Sequence, residues 1–213
     1  MPDWFRKVSW TKSDQDDFWA HHKRARASGK SQYLRIQAVH LAGTGKPELR
    51  SAALSLLNLL IAEFPDPVEL SFAYTQRAEI HAAEGRIEEA VSDCRRAISR
   101  EREFPNAKGD AWLDFAWLVV MTDKHDLFDE ALRILKERES DAFFPVHHCR
   151  LNAIRSVIAA ERGESENART FAANAMRHAS RMNSGVRYHR TIGLVSESRG
   201  PMFDRLREIQ NGS

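Results

Sequence analysis

Apolar residues recur along this chain at the spacing of one helix face, in segment after segment, with polar or glycine clusters between them. Positions i, i+3, i+4 and i+7 share one side of an α-helix. Leu34, Ala38 and Leu41 make one such stripe, and Tyr74, Ala78 and His81 a second. Trp112, Phe115, Ala116 and Val119 make a third, and Leu151, Ile154, Ile158 and Ala159 a fourth. Each is followed by a stripe that opens on an alanine: Ala53 with Leu57 and Leu60, Ala90 with Cys94 and Ala97, Ala131 with Leu135, and Ala168 with Ala172 and Ala175. These four alanines lie 37, 41 and 37 residues apart. Small residues on one face let a neighbouring helix approach closely. The pattern therefore predicts antiparallel helix pairs repeated along the chain.

The segments between the stripes agree. Gly85-Arg86-Ile87-Glu88-Glu89 and Gly163-Glu164-Ser165-Glu166 stand just before their alanines, as a turn followed by acids at a helix start. Acidic side chains there meet the positive end of the helix dipole. Phe-Pro occurs at Phe64-Pro65, Phe104-Pro105 and Phe144-Pro145, each forty residues after the last. A proline just past a second helix stops it, so all three are expected to close a hairpin.

Trp112-x2-Phe115-Ala116-x2-Val119 and Ala90-x3-Cys94-x2-Ala97 resemble the two halves of the tetratricopeptide repeat. The resemblance spans residues 31–180, with its best copy from Ser71 to Pro105. It implies an all-α fold: a right-handed α-α superhelix, a solenoid of about four helical hairpins with capping helices at both ends. It implies three parts, a cap or arm at 1–30, repeats at 31–180 and a capping segment at 181–213. Arg77 and Arg138 depart from the pattern, standing where an apolar residue is usual, and the loop Thr122–Leu127 is longer than the family's tight turn. The chain also resembles a group of bacterial repeat proteins at Gln32-Tyr33-Leu34-Arg35-Ile36-Gln37 and Val186-Arg187-Tyr188-His189-Arg190, which adds architecture and no chemistry.

The ends differ from the middle. Trp4, Phe5, Trp10, Phe18 and Trp19 crowd the first twenty residues. Ser13-x-x-Asp16 reads as a capping-box variant opening a helix to Ala27, with Phe18, His22 and Ala25 on one face. This region either caps the first repeat or reaches into a groove, its own or a partner's. At the other end Tyr188, Ile192 and Val195 fit a short helix or strand, and Phe203, Leu206 and Ile209 a small amphipathic helix after Gly200-Pro201, which either caps the last repeat or forms a loose tail.

Composition narrows the classes. The 213 residues are 42% hydrophobic and 29% charged, ordinary for a folded chain. No apolar run approaches the ~20 residues of a membrane span, and the first residues lack the apolar stretch of a signal peptide. Cys94 and Cys149 make no disulfide framework. A cytoplasmic protein with no membrane partner is the expectation. Net charge is +2, divided as +3 over residues 1–30, −5 over 31–170 and +4 over 171–213.

Chemistry-bearing motifs are few. Gly43-Thr44-Gly45-Lys46 is followed by Pro47, not Ser or Thr, so it reads as a helix–helix turn and not a phosphate loop. His21-His22 and His147-His148 are adjacent pairs that point about 100° apart on a helix, poor spacing for a metal. Neither a metal nor a cofactor is expected, and no catalytic residue is assigned. A His81–Glu79 or His147–Cys149 centre would be the seat of any unrecognised enzyme. The basic runs His21–Arg26 and Arg177–Arg190 would suit a nucleic-acid regulator. Ser28-Gly29 and Asn183-Ser184-Gly185 after them look like helix stops, so the charges read as partners of helix C-termini, which argues against nucleic acid.

The leading expectation is a non-enzymatic protein–protein interaction module. In stacked hairpins the first helices line a concave surface. Helical spacing selects Gln32, Arg35, Phe72, Thr75, Glu79, Asp110, Leu113, Trp117 and Arg150 as a groove for a peptide, a helix or a second subunit. Trp117 is a second tryptophan on another face from Trp112. It either packs under the N-terminal arm or anchors an incoming peptide.

Overall fold

The computed structural model describes residues 3–212, and among them every regular element is helical. The ten α-helices are α1 (Lys12–Arg24), α2 (Ala27–Ala42), α3 (Pro47–Glu63), α4 (Pro67–Ala83), α5 (Ile87–Glu103), α6 (Ala111–Met121), α7 (Phe128–Arg138), α8 (Pro145–Glu161), α9 (Ser165–Ala179) and α10 (Pro201–Asn211). No helix among the described residues is long and apolar enough to cross a membrane. The chain forms two compact units, Met1–Ala111 and Trp112–Ser213.

In the first unit α2 packs on α3 and α4 on α5, and α4 also touches α2 and α3. Leu34, Ala38, Leu41, Ala53, Leu57, Leu60 and Ala73 fill one core, each at most 1% exposed. The predicted stripes thus face inward as the spacing requires. The aromatic arm closes this core. Trp4, Phe5 and Trp10 pack against it, and the Trp4 ring touches those of Phe18 and Tyr33 at 5.3 and 4.7 Å. Gln37, fully buried on α2, pins the arm. Its Nε2 donates to the Lys7 carbonyl at 2.8 Å and its Oε1 accepts the Lys7 N–H at 3.1 Å. A buried amide satisfied on both sides is what the interior demands.

The α1 cap lies two residues earlier than expected. Thr11, not Ser13, caps the helix: its hydroxyl accepts the Asp14 N–H, and the Asp14 carboxylate accepts the Thr11 N–H at 2.9 Å. Hydrogen bonds from the Thr11 hydroxyl, the Ser9 hydroxyl and the Thr11 amide hold the Asp14 carboxyl down to about 2. The helix stops at Arg24, not at Ala27. Ser28 and Gly29 lie in the first turn of α2 and are no helix stop.

In the second unit α8 packs on α9, α7 touches α8, and α10 lies against both α9 and α8. Met202, Phe203 and Leu206 of α10 are buried, so the last helix covers the α8–α9 pair and is no loose tail. Val186–Val195, however, is neither helix nor strand. Gly185 and Gly193 bracket it at φ +85° and +65°, and Tyr188 stands 79% exposed.

Three hairpin turns share one device. Gly45, Gly85 and Gly163 hold φ of +74°, +73° and +75° between α2 and α3, α4 and α5, and α8 and α9. Only glycine enters that region without cost. The α6–α7 turn has Asp123 at φ 49° and then a 3-10 turn, His125–Leu127, which accounts for its extra length. Phe64 and Phe104 cap the ends of α3 and α5 as expected. The third Phe-Pro does not close a hairpin: Phe144 is the N-cap of α8 and Pro145 its first residue, where a missing N–H costs nothing.

Candidate functional site

Six of the nine groove residues lie in the first unit and three in the second. Gln32 and Glu79 are exposed on α2 and α4, and Asp110 is exposed just before α6. Phe72 and Thr75 are half-buried, the Thr75 hydroxyl donating to the Ser71 carbonyl one turn back at 3.1 Å. Leu113 is wrongly placed by the spacing. It is fully buried with Trp112, Phe115, Ala116, Val119 and Val120, while the partly exposed side of α6 is that of Asp114, Trp117, Leu118 and Met121.

Arg35, Phe72, Trp117 and Arg150 belong to two copies of one arrangement. In the first unit the Arg35 guanidinium, on α2, pairs with Glu69 of α4 and lies 5.3 Å over the Phe72 ring. In the second, Arg150 of α8 donates to Asp114 of α6 at 2.7 Å and lies 5.3 Å over the Trp117 ring. Acid and aromatic stand three residues apart on one helix, so both can face one arginine. That arginine lies on the preceding first helix, α2, in the first unit and on the following helix, α8, in the second. Cation–π contact and ion pair reinforce each other. Trp117 therefore has an intramolecular partner, and the arm's own ring contacts lie in the first unit. Glu101 of α5 is buried and accepts the Ser71 hydroxyl at 3.1 Å and the Gly109 N–H at 2.9 Å.

The departures from the repeat pattern have partners that the sequence did not disclose. Asp93 of α5 is buried, and Arg77 of α4 donates to both its oxygens at 2.6 and 2.7 Å. A third Arg77 nitrogen donates to Asn58 Oδ1 of α3 at 2.7 Å, and the guanidinium lies over Tyr74. One side chain thus ties three helices. His81 Nδ1 is 3.4 Å from Asp93 but makes no hydrogen bond. Burial holds its imidazole below its ordinary value, with Arg86 adding to the effect. Arg138 is likewise buried, paired with Asp141.

Neither enzyme seat assembles. Glu79 is exposed while His81 faces inward toward Asp93. Cys149 is buried and its thiol is pushed up to about 11 by desolvation, the opposite of a reactive thiolate. Among the described residues no three His, Cys, Asp or Glu side chains converge as a metal site.

What the first unit does offer is a groove of about 380 Å³ between its consecutive first helices. Ala38, Val39 and Ala42 of α2 form one wall, Gln76, Glu79 and Ile80 of α4 the other, and Leu57 of α3 the floor. Arg50 stands at its edge, donating to the Gly45 carbonyl at 2.6 Å. Val39 is 40% exposed, and Gln76 Oε1 is hidden from water without a hydrogen-bond partner. No family model, curated protein or solved structure matches the chain. Function is therefore read from these residues alone. Of the groove residues, only Glu79 was marked by helical spacing. The others follow from the packing of α4 on α2, which brings together residues some forty positions apart.

Proposed function

We propose that this chain is a non-enzymatic protein–protein interaction module of tetratricopeptide-like hairpins, stacked as a right-handed superhelix. It holds a segment of a partner protein on the face of its first helices. The groove between α2 and α4 carries this reading. Its volume and its apolar walls suit one or two aliphatic side chains. Gln76 on the α4 wall adds an amide side chain to an otherwise mostly apolar lining. Glu79 and Arg50 at the edges supply polar contacts that fix direction.

The arginines of the first helices act differently from a recognition residue. Arg35 is already committed to Glu69 and Phe72, so reversing its charge would damage the packing of α2 on α4. The informative variant is Ala42→Trp, which fills the groove from a half-buried position. A displayed random-peptide library selected on the wild-type protein should yield sequences sharing one apolar anchor. Those peptides should bind Ala42→Trp at least about tenfold more weakly, with the helical circular dichroism unchanged. Selected peptides that bind both proteins alike would overturn the proposal.

A further inference from the structure

We infer that the segment from Arg181 to Arg199 is a docking surface for single-stranded nucleic acid, with four exposed arginines along it and an exposed tyrosine beside one of them. The first observation is a contrast in pairing. Many helical arginines meet carboxylates, among them Arg35 with Glu69, Arg77 with Asp93, Arg150 with Asp114, Arg155 with Glu139 and Arg162 with Asp129. What sets the 181–199 segment apart is four arginines close together in sequence with no such partner. Among the described residues, Arg181, Arg187, Arg190 and Arg199 have no carboxylate within ion-pair distance. The only acid from 177 to 199 is Glu197, and there is no lysine.

The helix-dipole explanation does not reach them. α9 ends at Ala179, so Arg187, Arg190 and Arg199 lie well beyond its last turn, and the dipole's effect fades within that turn. Charge left unpaired on a surface is ready for an external anion. Arginine in place of lysine adds a planar fork that meets phosphate oxygens in pairs and stacks on bases.

The second observation is that the loop is built to present them. The Ser184 N–H donates to the Arg190 carbonyl at 2.8 Å, the Ser184 hydroxyl to the His189 carbonyl at 2.8 Å, and the His189 N–H to the Val186 carbonyl at 3.2 Å. These bonds close residues 184–190 into a tight loop with Arg187 and Tyr188 at its tip. The Arg187 guanidinium lies 5.2 Å from the centre of the Tyr188 ring, and the ring is 79% exposed. Farther along, the Val146 N–H donates to the Gly193 carbonyl at 2.9 Å, which fastens the segment to the start of α8. A pre-shaped loop gives up less conformational entropy on binding. An exposed ring beside a cation is the element on which an unpaired base stacks, whatever the base. An anionic membrane would need only the charges; Tyr188 held at the tip beside Arg187 favours stacking.

The test is fluorescence anisotropy of the full chain with a labelled twelve-nucleotide single-stranded RNA, its DNA equivalent, a duplex of the same length, and vesicles containing phosphatidylserine. The single strands should bind in the micromolar range at 50 mM salt and more tightly than the duplex. The logarithm of affinity should fall with that of salt at a slope of about −3, as four phosphate contacts require. Arg187→Ala with Arg190→Ala should halve that slope. Tyr188→Phe should retain affinity, while Tyr188→Ala should lose about tenfold with the slope unchanged. Circular dichroism should be unaltered throughout. Undetectable binding at 50 mM salt, a preference for duplex or vesicles, or full affinity in Tyr188→Ala would each overturn the inference.

Discussion

The arginines of the α4–α5 hairpin and those of the 181–199 segment are the same residue put to opposite ends. Arg77 is nearly buried, gives Nε and Nη2 to Asp93 and Nη1 to Asn58, and so spans three helices. Arg187 and Arg190 stand on a surface loop with no acid to meet. Charge alone does not mark a binding residue; the presence or absence of an internal partner does. In the hairpin, the fork replaces hydrophobic packing and fixes which helix lies against which. In the loop it stands in water with no internal partner, open to an external anion.

The largest expected effect breaks the paired side of this contrast. Asp93→Ala strands the Arg77 guanidinium with Asn58 as its remaining hydrogen-bond partner, and removing one member of a buried pair costs roughly 3–5 kcal/mol. Urea unfolding followed by circular dichroism measures it. A loss below about 1 kcal/mol would mean that Asp93 is wet and the tie between α3, α4 and α5 is slack.

A smaller effect comes from histidines that the same helices bury. The His148 and His178 rings stack at 4.9 Å between α8 and α9. Desolvation holds both below their ordinary value, and Arg181 lowers both further. His147 and Arg177 add to this, and Glu139 opposes it at His148. His22 and His81 are lowered as well, first of all by burial. In each case the unfolded chain binds the proton more readily, so acidification favours unfolding. Stability should be flat above the ordinary imidazole value of about 6.5 and decline as pH falls below it. His178→Gln should flatten part of that decline in melting temperatures recorded from pH 7.5 to 5. A variant that keeps the full slope would remove the stacked pair from the account.

Much of the helical plan was legible in the sequence. The alanine-led stripes at Ala53, Ala90, Ala131 and Ala168 fall within α3, α5, α7 and α9, because small residues at helical spacing have one use on a packed face. The turn at Gly43–Lys46 was readable because Pro47 cannot continue the helix before it. Three things were not readable. Arg77 looked like a misfit until Asp93, sixteen residues away on the next helix, supplied the partner. Leu113 was hard to separate from its neighbours, since Asp114 is the single charged residue that marks the partly exposed side of α6. Val186–Val195 kept a helical spacing of apolar residues, yet Gly185 and Gly193 at positive φ and the Ser184 hydrogen bonds bend it into a loop. Tertiary partners and backbone handedness decide such places, and periodicity carries neither.

The unpaired arginines should have the smallest effect on folding, about 0.5 kcal/mol or less apiece, as for surface positions without contacts. The most direct measurement places the two classes side by side: urea unfolding of Asp93→Ala and of Arg187→Ala with Arg190→Ala, against the wild-type chain. The account predicts a midpoint displaced strongly toward lower urea for the first and a curve nearly superimposable on wild type for the second. Equal displacement of both would contradict it, because the loop arginines would then be part of the fold.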